Sequence, residues 1–289
     1  MIDVILDTDA FNEVDDQFAL AYMMLNKELN PIAIYAAPFL NSKVKSAEIG
    51  MEKSFDEIFK ILALSGRKDF TAVYRGSNTF LENENTPVIS PAAEDLVKRA
   101  KNYDKHNKLT VVAIGAITNI ASAIILDNSI TERIKIVWLG GHGREYRDTK
   151  EFNMCEDIAA ARVVMSSDAE FVQLPCKCVV SEFTISEPEL NYWLTGKNEL
   201  TDYLSKIVIE YSKPKGAPYP WTKVIWDVTA VAYLLNKEEK FMLCKKTKRI
   251  LPDYNGYYEK KELDKEMTYV YKINRDVLMN DLITTLLNI

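Results

Sequence analysis

The chain predicts an α/β protein, a mostly parallel central sheet flanked by helices in a Rossmann-like core, on three observations. Short apolar runs of strand length recur as far as residue 174. Segments with the apolar spacing of amphipathic helices stand between them. Polar residues suited to chemistry follow directly behind several of the runs, where open α/β sheets bind their ligands. Alternation of this kind specifies parallel strands covered by helices.

Taken in order, Val4-Ile5-Leu6 is the first strand and Gln17 to Met24 the helix behind it. Pro31 to Ala37 reads as a second strand, and Ser46 to Leu64 as an amphipathic helix. Further strands are expected at Thr71 to Tyr74, Leu109 to Ile114, Ile134 to Leu139 and Glu170 to Leu174. Helices are expected near Ala92 to Lys101, Asn119 to Leu126 and Asp157 to Met165. Beyond residue 185 the pattern turns helical, over Glu187 to Ser212 and Val228 to Asn236. Two charged, aromatic strand-like stretches and a last helix from Arg275 to Leu287 follow. Lys213 to Pro220 is a loop by its Pro and Gly content, either a plain surface connection or a lid. No linker interrupts the pattern, so one domain over residues 1–289 is expected.

Composition bounds the function. At 289 residues and 47% hydrophobic, the chain has ample material for a core and is not a disordered sequence. A net charge of −6 and a pI near 5.2 argue against a general nucleic-acid binder, whose footprint is basic. Cys155, Cys176, Cys178 and Cys244 lack any repeated CxxC spacing and read as reduced thiols. The chain opens on a strand rather than a signal region, and no apolar run approaches a membrane span. A cytoplasmic protein without membrane partners is the expectation.

The densest chemical signal is a set of four aspartates, Asp7, Asp9, Asp15 and Asp16, between the first strand and its helix. Carboxylates held this close repel one another unless a cation neutralises them or one takes a proton. Oxygen ligands without His or Cys favour a hard cation, Ca²⁺ or Mg²⁺. Helix capping by Asp15 would account for one or two of the four but not all. An EF-hand loop fits poorly, because the segment lacks that motif's glycine and follows a strand. Polar residues also follow later strands, in Gly115-Ala-Ile-Thr-Asn119, in Gly140-Gly-His142 with Glu151-Phe-Asn153, and in Trp226-Asp227.

In order along the chain, Asp7-Thr-Asp9 with Asp15-Asp16, Ile117-Thr-Asn-Ile-Ala121, Glu151-Phe-Asn153 and Asp227 resemble the motifs of the inosine-uridine nucleoside hydrolase family. The resemblance covers most of the chain. It implies a nucleoside hydrolase-like fold and an N-ribohydrolase that splits a ribonucleoside into base and ribose. It implies Ca²⁺ held by Asp9, Asp16, the backbone carbonyl of Thr118 and Asp227. Asp15, Glu151 and Asn153 would hold the ribose, Asn41 matches a family asparagine, and Asp7 would support the site from behind. A small-molecule ribonucleoside and a homodimer or homotetramer are the implied partners. The chemistry suits these residue types, since a cation lowers the pKa of a metal-bound water and Asp9 would take its proton. Carboxylates around the sugar would also stabilise an oxocarbenium-like transition state.

The chain departs from the family pattern in three places. Five residues, Ala10-Phe-Asn-Glu-Val14, separate Asp9 from the aspartate pair where the family has three, which adds Asn12 and Glu13 as candidates. Gly143 to Lys150 replaces a family asparagine that precedes the Glu-Phe-Asn segment, leaving recognition of the sugar's 5′ end open. Trp226 stands where many pyrimidine-accepting members carry a histidine. Purine-preferring members have tryptophan there, so the resemblance implies a purine stacked on Trp226. Of the two histidines, His106 reads as a solvated loop residue, while His142 follows a strand end and is either structural or in the site. Tyr219 and Trp221 are candidate covers for the base.

Plainer readings stand beside these. Thr118 or Asn119 starts a helix, Glu151 is a solvated charge, Asp227 caps a helix and Trp226 packs in the core. Two rival functions also remain: a haloacid-dehalogenase-like phosphatase built on Asp7-Thr-Asp9, and a nucleoside- or ribose-binding protein without turnover.

Overall fold

The computed structural model describes residues 1–213 and 220–288. The lid expected in the Lys213 to Pro220 loop and the base-covering role of Tyr219 fall outside the described residues.

An eight-stranded sheet runs in the order β3-β2-β1-β4-β5-β6-β10-β9. The strands are β1 (Ile2–Thr8), β2 (Leu29–Ala36), β3 (Val73–Arg75), β4 (Leu109–Ala113), β5 (Ile134–Leu139), β6 (Glu170–Leu174), β9 (Met242–Pro252) and β10 (Tyr258–Ile273). A separate antiparallel pair holds β7 (Thr184–Ser186) and β8 (Thr222–Val224). All ladders of the large sheet are parallel except that between β9 and β10, so only one edge strand opposes the rest. From β1 the chain steps outward to β2 and β3, then returns to β4 on the other flank of β1. This reversal opens a crevice beyond the carboxyl ends of β1 and β4.

Side chains alternate between two apolar layers, as a pleated strand requires. Val4 and Leu6 of β1, Val112 of β4 and Val137 of β5 enter one layer. Ile5, Val111, Ile136 and the fully buried Trp138 enter the other. Because both faces are covered, the strands read as continuous apolar runs rather than as alternating ones. The first layer is closed by α1 (Asp16–Leu25), α2 (Ala47–Leu64), α8 (Glu199–Ser212), α9 (Val228–Tyr233) and α10 (Arg275–Leu287). The second is closed by α3 (Pro91–Ala100), α4 (Thr118–Leu126) and α6 (Ile158–Ser166). Helix starts follow local chemistry: Ser46 Oγ accepts from Ile49 N at 3.2 Å, and Ser90 Oγ accepts from Ala93 N at 3.2 Å with Pro91 opening α3. No described helix is long and apolar enough to cross a membrane.

Several elements differ from expectation, including the unanticipated β7 and β8 pair and the end of α9 at Tyr233 instead of Asn236. The single helix expected over Glu187 to Ser212 is α7 (Glu187–Trp193) followed by α8, broken at Gly196, where φ is +76°. Asn198 restarts the helix with a capping box, accepting from Thr201 N at 2.8 Å while Thr201 Oγ1 accepts from Asn198 N at 3.1 Å. The Glu-Phe-Asn segment forms an unexpected one-turn helix, α5 (Phe152–Glu156).

Candidate active and metal site

The carboxyl ends of β1, β4 and β5, with the loop after β6, surround one cavity of about 240 Å³. Its lining includes Asp9, Asn12, Glu13, Asp15, Asp16, Ile114, Glu151, Asn153, Trp226 and Asp227. The aspartates of the opening segment therefore meet Asp227, more than two hundred residues away in the chain.

Asp15, Asp16 and Asp227 each bring a carboxylate oxygen within 4.8 Å of the other two. Asp15 and Asp227 stand at the N-cap positions of α1 and α9, yet neither side chain makes a capping hydrogen bond. Their carboxylates are thus turned away from the plain capping role and into the cluster. Thr8 Oγ1 donates to Asp16 Oδ1 at 2.6 Å and aims it. Both oxygens of Asp9, together with Asp15 Oδ2 and Asp7 Oδ2, are buried with no hydrogen-bond partner. Burial, then the charges of Asp16, Glu156 and Asp15, hold Asp9 well above the usual carboxylate range. Burial and Asp15 push Asp16 up to about 7. Asp227 is likewise raised by burial and by Asp15, Asp16 and Asp9. Orphaned, mutually repelling buried oxygens are the donor set a hard cation requires, so these residues fit a Ca²⁺ or Mg²⁺ ion.

The structure sorts the remaining expectations. Asp7 lies behind the cluster, accepting from Asn119 Nδ2 at 2.7 Å, which is the supporting position assigned to it. Thr118 is not in the cavity lining: it opens α4, and its hydroxyl donates to Asp157 Oδ2 at 2.7 Å. The residue that reaches the cavity from this segment is Ile114, four positions earlier at the strand end. Its carbonyl accepts from Asn153 Nδ2 at 3.0 Å. A strand end faces the crevice, whereas the first turn of the next helix is already folding back over the sheet. Asn41 also stays outside the lining and acts one step removed, donating from Nδ2 to Asn12 Oδ1 at 2.8 Å.

Glu151 is not a solvated charge. It is buried and caps α5, accepting from Asn153 N at 2.9 Å, Met154 N at 3.0 Å and Gly141 N at 2.9 Å. Gly141 sits at φ +76°, and a Cβ there would come within 2.5 Å of Tyr258 Oη. Asn153 spends both amide hydrogens on the carbonyls of Ile114 and Leu139, which leaves its Oδ1 as the free acceptor. Trp226 is half-buried: it lines the cavity and also packs against the first apolar layer. His142 also lines the cavity. Burial, followed by Lys177, brings it down to about 4, so it is neutral at neutral pH. His106 is exposed.

Lys223 is a charged neighbour of the site that its sequence position did not mark. Its Nζ lies 2.6 Å from Glu13 Oε2 and 3.5 Å from Asp15 Oδ1. Burial opposes its charge, but Asp15 and Glu13 outweigh that and raise its pKa. The long Ala10 to Val14 loop is fastened by this contact, by Gln17 Nε2 on Ala10 O at 2.6 Å, and by Asn41 on Asn12.

A profile described as "Inosine-uridine preferring nucleoside hydrolase" matches residues 4–275. The chain belongs to this family. A "Probable uridine nucleosidase 2" of Arabidopsis thaliana is 28% identical over 140 residues, which are 47% of this chain and 42% of that relative. The chain thus aligns with less than half the length of that relative. A plant nucleoside hydrolase superposes with a TM-score of 0.78 at 16% identity over 100% of this chain and 99% of its own. A purine-preferring ribonucleoside hydrolase from Gardnerella vaginalis gives 0.75 at 20% identity over 98% of both chains. At such identities these likenesses establish the nucleoside hydrolase fold.

Proposed function

We propose that this nucleoside hydrolase family member cleaves the N-glycosidic bond of ribonucleosides, with calcium as cofactor and purine bases preferred. The observation that carries the reading is the pair of orphaned Asp9 oxygens, buried in a cavity that also presents Asp15, Asn153 and an indole. A cation held by Asp9, Asp16 and Asp227, with Asp15 beside them, would neutralise the cluster and make an adjacent water more acidic. Asp9 would accept a proton from such a water, because no protein donor engages either of its carboxylate oxygens.

Asp15 has one oxygen unpartnered and accepts from the ribose hydroxyls. Asn153 Oδ1 accepts from the sugar on the opposite wall. Glu151 keeps its remaining lone pairs for the same purpose, its position set by three backbone amides. As the glycosidic bond lengthens, positive charge develops on the ribose and the surrounding carboxylates stabilise it. Trp226 stacks on the departing base, a contact worth about 1–3 kcal/mol per base, and a purine offers the indole the larger face. Purine preference rests on this contact.

The test is release of free base from a panel of purine and pyrimidine nucleosides, with calcium or with a chelator, using Asp9→Ala as control. Calcium-dependent release that the control loses supports hydrolysis. Tight nucleoside binding without any release would instead place the chain with binding proteins that have lost turnover.

A further inference from the structure

We infer that the substrate carries an anionic group on the sugar, as a ribonucleoside 5′-monophosphate, and that Lys150 and Lys177 bind its phosphate. The inference rests on the ribohydrolase reading and narrows its substrate class.

The cavity is lined by both signs of charge. The acidic lining is the Asp9, Asp15, Asp16 and Asp227 cluster with Glu13 and Glu151, and the basic lining is Lys150 and Lys177, both solvent-exposed. Among the described residues neither lysine has a carboxylate within 4.0 Å. Lys223 contrasts with them, since Glu13 and Asp15 already engage its charge. Glu151, the carboxylate beside Lys150 in the chain, accepts from three backbone amides and makes no ion pair with either lysine. The two ammonium groups therefore keep their charge available to a ligand.

Both lysines are also seated. Lys177 Nζ lies 3.0 Å from Tyr146 Oη and 4.7 Å from the centre of that ring, which meets His142 edge-on at 4.7 Å. Tyr146 thus links Lys177 to a histidine of the cavity wall. The stem of Lys150 crosses Gly256 in the turn between β9 and β10, where a Cβ would come within 2.6 Å of Lys150 Cγ. Thr149 N donates to Gly256 O at 2.9 Å and fixes the two segments together. Lys150 Nζ then lies 5.4 Å from the Tyr257 ring. Aromatic neighbours hold an ammonium in place without neutralising it.

Placement on the sugar follows from charge. A phosphate on the 2′ or 3′ oxygen would face the aspartate cluster, and such like-charge contacts cost several kcal/mol. The base end is taken by Trp226. The 5′ carbon is the remaining position on the sugar for a phosphate that pairs with the two lysines. A phosphate monoester there carries about −1.5 to −2 charge at neutral pH, and lysine binds phosphate as a compact point charge.

The reaction balances as in the unphosphorylated case. The water oxygen bonds to C1′, the C1′–N bond breaks with its electron pair on the base nitrogen, and one water proton passes by way of Asp9 to leave with the base or solvent. The products are free base and ribose 5-phosphate, and the phosphate ester stays intact.

The experiment compares kcat/KM for inosine and inosine 5′-monophosphate with calcium present, following hypoxanthine release and identifying the sugar product. The parent protein and a Lys150→Met, Lys177→Met double variant are measured together. The expected result is a nucleotide-to-nucleoside ratio of at least tenfold in the parent that falls at least tenfold in the variant, with ribose 5-phosphate as product. Ribose 5-phosphate is also expected to compete in the parent more strongly than ribose does. Cleavage of inosine with no preference for the nucleotide, or a ratio unchanged in the variant, overturns the inference and leaves the ribohydrolase reading standing. Release of base from neither compound by folded, calcium-loaded protein overturns both.

Discussion

Replacing Asp16 by Asn should stabilise the metal-free protein while removing its response to calcium. In the fold, burial and the charge of Asp15 raise the Asp16 carboxyl from 3.8 to about 7. About three pKa units at about 1.4 kcal/mol each is about 4 kcal/mol of destabilisation once the group is ionised. Because the folded value is the higher one, this group's stabilising proton is fully effective below pH 3.8 and is lost as pH rises through 7. Asn matches Asp in shape, is uncharged, and retains an Oδ1 that can accept from Thr8 Oγ1, which lies 2.6 Å from the aspartate. At pH 8 without metal, the variant should therefore melt on the order of 5 °C higher than the parent. At pH 5 the gain should shrink to less than half, because there the parent carboxyl is already protonated in the fold. Calcium at a hundred times its dissociation constant adds about 2.7 kcal/mol to a protein that binds it only when folded. The parent should show that shift and the variant should lose most of it. Scanning calorimetry at both pH values, with chelator or calcium, reads all four conditions. A variant less stable than its parent at pH 8 without metal, or one that keeps the full calcium shift, would refute the strained-cluster argument.

Three further outcomes are expected. Gly115→Ala should lower kcat about tenfold with the fold intact, because the added Cβ would lie 3.0 Å from Asp9 Oδ1 and 3.1 Å from Ala37 Cβ, displacing the proposed base; steady-state kinetics beside a circular dichroism spectrum separate the two effects. Trp226→Leu should weaken purine nucleosides by about 1–3 kcal/mol in kcat/KM and pyrimidine nucleosides by less, read from the same base-release assay. Lys223→Met should cost about 2 kcal/mol in denaturant unfolding, since it leaves Asp15 buried beside Glu13 without their shared cation, and calcium should recover part of that loss.

The α/β class, the strand and helix order through β6 and the presence of an acidic site were all legible in the amino-acid sequence. Those features are written locally. A strand buried on both faces must be apolar throughout, as Val4 to Leu6 and Ile134 to Leu139 are, and a carboxylate cluster directly behind such a strand lands at the ligand-binding edge. The motifs also carried Asp9, Asp15, Asp16, Glu151, Asn153, Trp226 and Asp227 into one cavity. The rest was not legible, because it depends on which way a backbone turns and on contacts between distant segments. Ile114 rather than Thr118 reaches the cavity, since the chain turns into α4 within four residues. Glu151 became the cap of a one-turn helix whose length is too short for any periodicity to register. The pairing of Glu13 with Lys223 spans 210 positions, and the seat of Lys150 on Gly256 exists only because the β9 and β10 turn folds back against Lys150. Neither residue of such a pair announces its partner, since a lone lysine or glutamate in sequence reads as solvated surface and only packing shows what its charge meets.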